Sequence, residues 1–259
     1  MTTDTEPGGL PPIGPIAAAQ FLTRLPIRLR RAPDLGRSAP WFPVVGGAIG
    51  AAVGGAIAGL AEVVPMPVAA ACGLLFGVAL TGAFHEDGLA DTFDAFGGFD
   101  PERRREILKD SRHGSYGVVA MCGTIVLRLV CLASLGPATA FAGVVAAHSL
   151  GRAAAVGVMA TAPPVGSIGL GADYVRSVRP FAAWCGVLGG VAIAAIATGW
   201  WAAPMVAVGA VVTVIASIIF VRAFKGIAGD QLGAIEQIGE CAVLVVVSGL
   251  AARHQLWWT

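Results

Sequence analysis

Apolar runs long enough to cross a lipid bilayer alternate along this chain with short polar connections. About 20 consecutive apolar residues span a bilayer as an α-helix, and seven stretches approach that length. They cover residues 41–63, 66–84, 115–135, 139–161, 181–199, 203–221 and 235–252. The last is the weakest, because Glu236 and Glu240 fall in its first turns. The pattern predicts an all-α, polytopic membrane helix bundle with about seven transmembrane helices.

The N-terminal region differs from these seven runs. Residues 16–29 form a short apolar stretch that Pro26 and two arginines interrupt, which is typical of an interfacial or re-entrant helix. Residues 1–15 are acidic and proline-rich, without the basic and then apolar order of a signal peptide. We therefore expect a disordered tail over 1–15 and a single integral membrane catalytic domain over 16–259.

Composition agrees with lipid as the solvent of this chain. Only 13% of the 259 residues are charged, against about 25% in soluble domains. The net charge of +1 gives no electrostatic basis for binding nucleic acid. The five cysteines lie singly within apolar runs, so we predict neither a disulfide framework nor a zinc site.

Basic residues are distributed unevenly between the two sides of the predicted bundle. Fourteen of the 17 lysines and arginines precede the first run or lie in alternate connections, which fall on the same side. The opposite connections, near Pro65, Gly136 and Trp200, are short and carry no basic residue. The positive-inside rule then predicts that the N-terminus and the three long connections face the cytoplasm, in a protein of the cell inner membrane.

Half of the acidic residues are concentrated in one polar segment, residues 84–114. Asp87, Asp91 and Asp94 are four and three residues apart, so on an α-helix their side chains share one narrow face. Carboxylates so close repel each other unless a cation lies between them. Hard oxygen ligands without a Cys or His cluster indicate Mg²⁺ or Mn²⁺ and not Zn²⁺, and Mg²⁺ commonly binds substrate phosphates as well. The alternative is a solvated acidic loop with basic counterions.

Further polar residues beside this segment are candidates for chemistry. His85 could act as a general base on an attacking hydroxyl, or it could be an interfacial histidine bonded to the backbone. Arg112 could pair with phosphate, next to Gly114 and Gly117, whose backbone N–H groups can approach an anion. The alternative for these glycines is a helix start that Ser115 caps.

A second polar group lies at the start of the last apolar run. Asp230, Gln237 and Glu240 follow an i, i+7, i+10 spacing, which is again one helical face. Glu240 is expected at or below the membrane surface, where an ionisable side chain is a functional candidate. The alternative is that Glu240 pairs with Arg128 or Arg152, which also lie inside apolar runs.

Motifs in a fixed order carry a resemblance to a known family. The most specific is the run His85-Glu86-Asp87-Gly88-Leu89-Ala90-Asp91-Thr92-Phe93-Asp94. The others are Phe21-Leu22-Thr23-Arg24-Leu25-Pro26, Phe42-Pro43 with Gly46-Gly47, Lys109-Asp110-Ser111-Arg112, and Gly229-Asp230-Gln231-Leu232-Gly233-Ala234. Together they resemble the cobalamin synthase family, the adenosylcobinamide-GDP ribazoletransferases, over about residues 16–250. The chain departs from the family pattern at His113, Lys225 and Gln237.

The resemblance implies a membrane-embedded, Mg²⁺-dependent phosphotransferase that completes the nucleotide loop of vitamin B12. It would join adenosylcobinamide-GDP to α-ribazole, or to α-ribazole 5′-phosphate, and release GMP. The substrates and the lipid bilayer are the expected partners, and other cobalamin-assembly enzymes are a further expectation.

The resemblance also implies roles for individual residues. The metal ligands on the diphosphate would be Asp87, Asp91 and Asp94. His85 or Asp94 would orient or deprotonate the attacking hydroxyl. Arg112 and Lys109 would bind phosphate. Asp230 and Glu240 would complete the metal site or bind ribazole.

Two other classes are considered beside this one. A membrane phosphotransferase of the CDP-alcohol type carries a related aspartate motif, but that motif has Arg after its alanine where this chain has Asp91. A transporter would use Arg128, Arg152 and Glu240 along a pathway and would predict inverted repeats. The sequence shows no convincing internal repeat.

Overall fold

A computed structural model describes residues 13–108, 112, 114–165 and 170–259. Within these residues the regular structure is helical and contains no β-strand, so the predicted all-α class is confirmed. The α-helices of the described chain are α1 Gly14–Leu22, α2 Leu35–Ser38, α3 Phe42–Leu60, α4 Met66–Thr81, α5 Phe84–Ala95, α6 Pro101–Ile107, α7 Ser115–Ala133, α8 Pro137–Thr161, α9 Leu170–Ser177, α10 Pro180–Thr198, α11 Ala202–Phe224 and α12 Gly229–Ala251.

Several helices are long and apolar enough to cross a membrane. By length and composition the described chain has five, or six if α4 and α5 form one bent span. That count treats Pro180–Phe224 as one helix of 45 residues, which would be about 67 Å long, over twice the bilayer core of about 30 Å. Gly199, with φ +63°, ends α10. With α4 and α5 as one bent span, and α10 and α11 as two separate spans, the described helices give the predicted seven.

The long connections meet at one end of the bundle, which we call the basic end. Ile227 donates its backbone N–H to the Pro163 carbonyl at 2.8 Å, which joins the connection before α12 to the end of α8. The Arg104 guanidinium of α6 donates to the Ala223 carbonyl at 3.0 Å. Gly36 packs against the carbonyl of Ser177. These contacts agree with the grouping of the basic connections that the sequence predicts.

The most buried helix, α8, lies at the centre of the bundle and packs against α3, α10 and α12. Glycines of α3 allow its backbone to approach closely. A Cβ on Gly46 would lie 2.5 Å from the His148 carbonyl oxygen, and one on Gly50 would lie 2.7 Å from that of Val144. Small residues play this role in membrane helix packing. The contact fixes α8, which carries His148 and Arg152.

The short helix α1 lies against α3 and does not cross the membrane. Its nine residues extend about 13 Å, and Phe21 stacks on Phe42 with ring centroids 5.4 Å apart. An interfacial helix here agrees with the sequence prediction. The helix begins at Gly14, inside the range expected to be a tail, and residues 1–12 lie outside the described range.

A bend of 88° separates α4 from α5. Gly82 and Ala83 both have positive φ, +70° and +58°, a conformation that is uncommon for residues other than glycine. The Arg24 side chain packs over Gly82, where any Cβ would collide with it. The predicted span 66–84 therefore ends at Thr81, and α5 turns against α7 and α12 with the acidic segment on it.

Candidate active site

The helix α5 has two chemically different faces. The face turned towards α7 and α12 is buried and includes His85, Glu86, Leu89 and Thr92. The other, which we call the aspartate face, carries Asp87, Asp91 and Asp94. Because α5 is helical across all three positions, their spacing places them on one side, as the sequence predicts. Asp87 is exposed, and the other two are half-buried.

Asp94 is bound to the start of α7. Its carboxylate accepts the backbone N–H of Gly114 at 2.6 Å and that of Gly117 at 2.8 Å. A Cβ on Gly117 would collide with this carboxylate. The anion that these glycines approach is therefore Asp94 itself, which satisfies unpaired N–H groups at the positive end of the helix. Ser115 is the first helical residue and makes no capping bond, so the capping alternative is wrong.

Asp230, the second residue of α12, lies beside the aspartate face. Gly88 is the contact point, since a Cβ there would lie 2.9 Å from the Asp230 carbonyl oxygen and 3.1 Å from its Cα. Asp87 is close enough to Asp230 for the two carboxylates to interact electrostatically. Gly88 thus allows α12 to bring a carboxylate to the side of α5 where Asp87 and Asp91 lie.

A second carboxylate group lies deeper in the bundle, on the buried side of α5. Glu240 of α12 is 1% exposed and accepts from Arg128 of α7 at 3.0 Å. Its other oxygen lies 2.6 Å from His148 Nδ1 and also contacts Arg152 of α8. Arg128 further contacts Glu86 of α5 at 3.3 Å. We call Glu86, Arg128, His148, Arg152, Glu236 and Glu240 the buried ion-pair cluster.

This cluster decides the interpretation of Glu240. The alternative that Glu240 pairs with Arg128 or Arg152 is confirmed, because it pairs with both. Each of its carboxylate oxygens is engaged by a basic side chain inside the bundle. The expectation that Glu240 binds substrate therefore has no support from its position.

His85 lies beside the buried ion-pair cluster and not on the aspartate face. Its Nδ1 lies 3.9 Å from Glu236 Oε2, and the side chain is buried. Residues two apart on an α-helix are separated by about 200° around the axis, so His85 and Asp87 point to opposite sides of α5. This placement argues against His85 as the general base.

The buried cluster contains residues that sequence reasoning missed. Glu86, His148 and Glu236 were not predicted to join it. A signal was present, because His148 and Arg152 are four residues apart within one apolar run, as Glu236 and Glu240 are in another. Ionisable residues paired in this way inside membrane runs indicate interhelical contacts, although the spacing does not identify the partners.

The two groups differ in their fitness for a divalent cation. Among the described residues, His148, Glu236 and Glu240 are the only group of three or more whose ligand atoms all lie within 4.8 Å of one another, and the three aspartates of α5 do not form such a group. Arg152, however, already contacts both Glu236 and Glu240, and a metal there would be repelled by its charge. Mg²⁺ needs only one or two carboxylates beside water and phosphate oxygens. The donor chemistry of Asp87, Asp91 and Asp230 fits that requirement.

The predicted phosphate-binding residues lie where the connection after α6 returns to α7. Arg112 is exposed and stands two residues before Gly114, whose N–H binds Asp94. Lys109 lies outside the described residues. The roles of both in phosphate binding stay predictions.

Fold and site together define a multi-pass helical membrane protein with a carboxylate face on a helix that turns back into the bundle. A family model described as cobalamin-5-phosphate synthase matches residues 14–248. This chain therefore belongs to the cobalamin-5-phosphate synthase family. No solved structure was found that matches it.

Curated relatives agree with this family and share most of their length with the chain. Each of the following is named adenosylcobinamide-GDP ribazoletransferase. The protein of Ralstonia pickettii (strain 12J) is 36% identical over 240 residues, which cover 88% of this chain and 91% of the relative. That of Ectopseudomonas mendocina (strain ymp) is 37% identical over 242 residues, covering 91% and 98%. That of Azorhizobium caulinodans is 38% identical over 259 aligned residues, covering 92% and 96%.

Proposed function

We propose that this protein transfers the phosphocobinamide group of adenosylcobinamide-GDP to α-ribazole, or to α-ribazole 5′-phosphate, and releases GMP. The products are adenosylcobalamin or its 5′-phosphate. The observation that carries the proposal is that Asp230 of α12 approaches Asp87 on the aspartate face of α5, in a chain of this family. The CDP-alcohol and transporter alternatives have no comparable support.

The chemistry is a phosphoryl transfer in which this face binds the diphosphate. A ribose hydroxyl of the ribazole, other than the 5′-hydroxyl that carries the phosphate in α-ribazole 5′-phosphate, attacks the phosphorus attached to cobinamide, and the bond from that phosphorus to the bridging oxygen breaks. GMP leaves with the bridging oxygen, and the hydroxyl proton passes to a carboxylate of the face. Mg²⁺ held by Asp87, Asp91 and Asp230 would neutralise charge that develops on the phosphate oxygens.

Other residues act by holding these groups in place. Asp94 ties α5 to the start of α7, so the aspartate face keeps its position relative to Arg112. Arg112 and Lys109 would bind a phosphate of the substrate. The cluster around Glu240 would hold α5 against α7, α8 and α12. Glu240 and His85 are therefore assigned to positioning and not to contact with substrate.

The activity can be tested with purified protein in detergent. We would supply adenosylcobinamide-GDP, α-ribazole and Mg²⁺, and measure GMP and the corrinoid product by chromatography. Asp91→Asn is expected to lower GMP release by about 100-fold or more, whereas the exposed carboxylate Glu106, paired only with Arg103 among the described residues, serves as the matched control in Glu106→Gln. Full turnover in Asp91→Asn, or in the wild type with chelator and no divalent cation, would contradict the metal role.

We also place the basic end on the cytoplasmic side of the inner membrane. The concentration of basic residues at that end supports this orientation. Seven spans then put the C-terminus on the opposite side, whereas six would not. Alkaline phosphatase fused after Thr259 is expected to be active, since it folds only outside the cytoplasm, and a fusion within α6 is expected to be inactive. Inactivity of both fusions would overturn the span number, and the reverse pattern would overturn the orientation.

A further inference from the structure

A cavity of 640 Å³ lies between α8, α10, α11 and α12. None of its described lining residues comes from α5 or α7, so it is separate from the aspartate face. Along α11 the lining extends from Met205 to Arg222, which is about 26 Å of helix. This length is close to the thickness of the bilayer core, about 30 Å. The cavity is therefore an elongated slot that runs along the membrane normal.

The slot opens towards lipid. Trp184, Val214 and Ile218 line it and are 49%, 56% and 45% exposed. In a bundle of membrane helices, large apolar side chains on the outer surface face acyl chains. Acyl chains thus have direct access to the slot from the side of the bundle.

Two polar groups on α11, Arg222 and Ser217, stand out in the largely apolar lining. Arg222 lies at the basic end of the slot, is exposed, and makes no ion pair with any described residue. Ser217 lies five residues deeper, about 7.5 Å further into the membrane. Its hydroxyl oxygen is buried and has no hydrogen-bond partner within the described chain. A helical serine commonly bonds to the carbonyl four residues earlier, and a buried donor without any partner is rare.

We propose that this slot binds one anionic phospholipid from the leaflet at the basic end. The phosphate lies on Arg222, with Lys225 three residues further along the chain. The Ser217 hydroxyl donates a hydrogen bond to an ester carbonyl of the lipid, which lies deeper in the membrane than the phosphate. An acyl chain follows α11 towards Met205. Basic residues at the surface of the cytoplasmic leaflet attract anionic lipids in this way.

The lining favours a lipid over a substrate of the enzyme. A corrinoid or a nucleoside carries many amides and hydroxyls, and each needs a partner when it is buried. Apart from Arg222, the slot offers only the hydroxyls of Thr161, Thr213 and Ser217. One phosphate, one ester group and a long apolar chain match this distribution along α11.

Native mass spectrometry of the full chain in detergent can test this site. The protein would be titrated separately with dioleoylphosphatidylglycerol and with dioleoylphosphatidylcholine. Gly209→Leu fills the slot, because Gly209 lines it and a Cβ there meets nothing within 4 Å. Gly123→Leu is the matched control, since Gly123 on α7 also has open space around its Cβ but lies outside the slot. Arg222→Gln removes the charge, and Arg28→Gln removes an exposed charge elsewhere at the basic end.

We expect one retained phosphatidylglycerol per chain in the wild type, Gly123→Leu and Arg28→Gln. Arg222→Gln is expected to lower that retention about fivefold. Gly209→Leu is expected to abolish it, with a melting temperature equal to that of Gly123→Leu. Equal retention of both lipids would overturn the role of Arg222. Unchanged retention in Gly209→Leu, or displacement of the lipid by adenosylcobinamide-GDP or α-ribazole, would overturn the site as a lipid site.

Discussion

The aspartate face and the buried ion-pair cluster both have carboxylates on α5 and α12, yet they differ in what neutralises the charge of these carboxylates. Glu86 and Asp87 are neighbours on α5, and Glu240 lies ten residues after Asp230 on α12. Glu86 and Glu240 are paired by Arg128 inside the bundle. Asp87 lies on the exposed side, where a ligand can reach it.

The difference separates carboxylates that hold the protein together from carboxylates that can bind a ligand. In the cluster, three carboxylates meet two guanidinium groups and a histidine, so most of their charge is compensated by the protein. Removing one partner of such a buried group leaves an uncompensated charge. On the aspartate face, removing the carboxylate of Asp87 relieves its repulsion with Asp230. The two regions should therefore respond to mutation in opposite ways.

The largest effect is expected from Arg152→Met in the cluster. It leaves Glu236 and Glu240 buried without their shared cation, and breaking a buried pair in this way costs about 3–5 kcal/mol. The free energy of unfolding in mixed micelles measures the loss. The control is Arg103→Gln, which breaks an exposed pair with Glu106 and should leave unfolding almost unchanged. Equal stability of the two variants would mean that the cluster does not stabilise the bundle.

Asp87→Asn is expected to have the next largest effect, on turnover alone. Loss of a ligand that stabilises transition-state charge commonly costs about 100-fold or more in rate. Stability should be retained or slightly increased, because Asp87 is exposed and repels Asp230. GMP release and the melting temperature are measured on the same preparation. A lowered melting temperature with unchanged specific activity in Asp87→Asn would mean that Asp87 stabilises the fold and does not bind a ligand.

Asp94→Asn should have the smallest of the three effects. Asp94 is intermediate between the two regions, because it lies on the aspartate face but its carboxylate is bound by the protein itself. It weakens two charge-assisted bonds to Gly114 and Gly117, for a loss of about 1–2 kcal/mol. Amide hydrogen exchange should rise in the first turn of α7. Asp100→Asn, which removes the charge from a similar cap on α6, controls for capping in general. If exchange in α7 did not change, Asp94 would be available as a metal ligand instead.

Helix positions were largely predictable from sequence, because burial in lipid requires long apolar runs. The predicted run 41–63 contains α3, Phe42–Leu60. The last run was placed too late, since α12 begins at Gly229, and the polar residues of its first turns lower the local hydropathy. The end of α4 was placed three residues too far, because the left-handed backbone at Gly82 and Ala83 leaves no trace in hydropathy.

The site was predictable only as far as a single helix determines it. The common face of Asp87 and Asp91 follows from spacing alone. The opposite placement of His85 also follows from helical geometry, although its motif had suggested a shared role. The partner of Asp94 did not follow, because it depends on how α7 returns to α5 through tertiary packing. The closeness of Asp230 likewise depends on Gly88 at a helix crossing.

The hydrogen bond from Gly114 to Asp94 closes the intervening chain into a loop whose two ends meet at 2.6 Å. The path between these ends, which includes α6, does not set the distance between them. Related chains can therefore lengthen or shorten α6 and still present the same anchored ends to a ligand. Variation in loop length across the family should fall within this stretch, while both residues of the closing bond stay fixed.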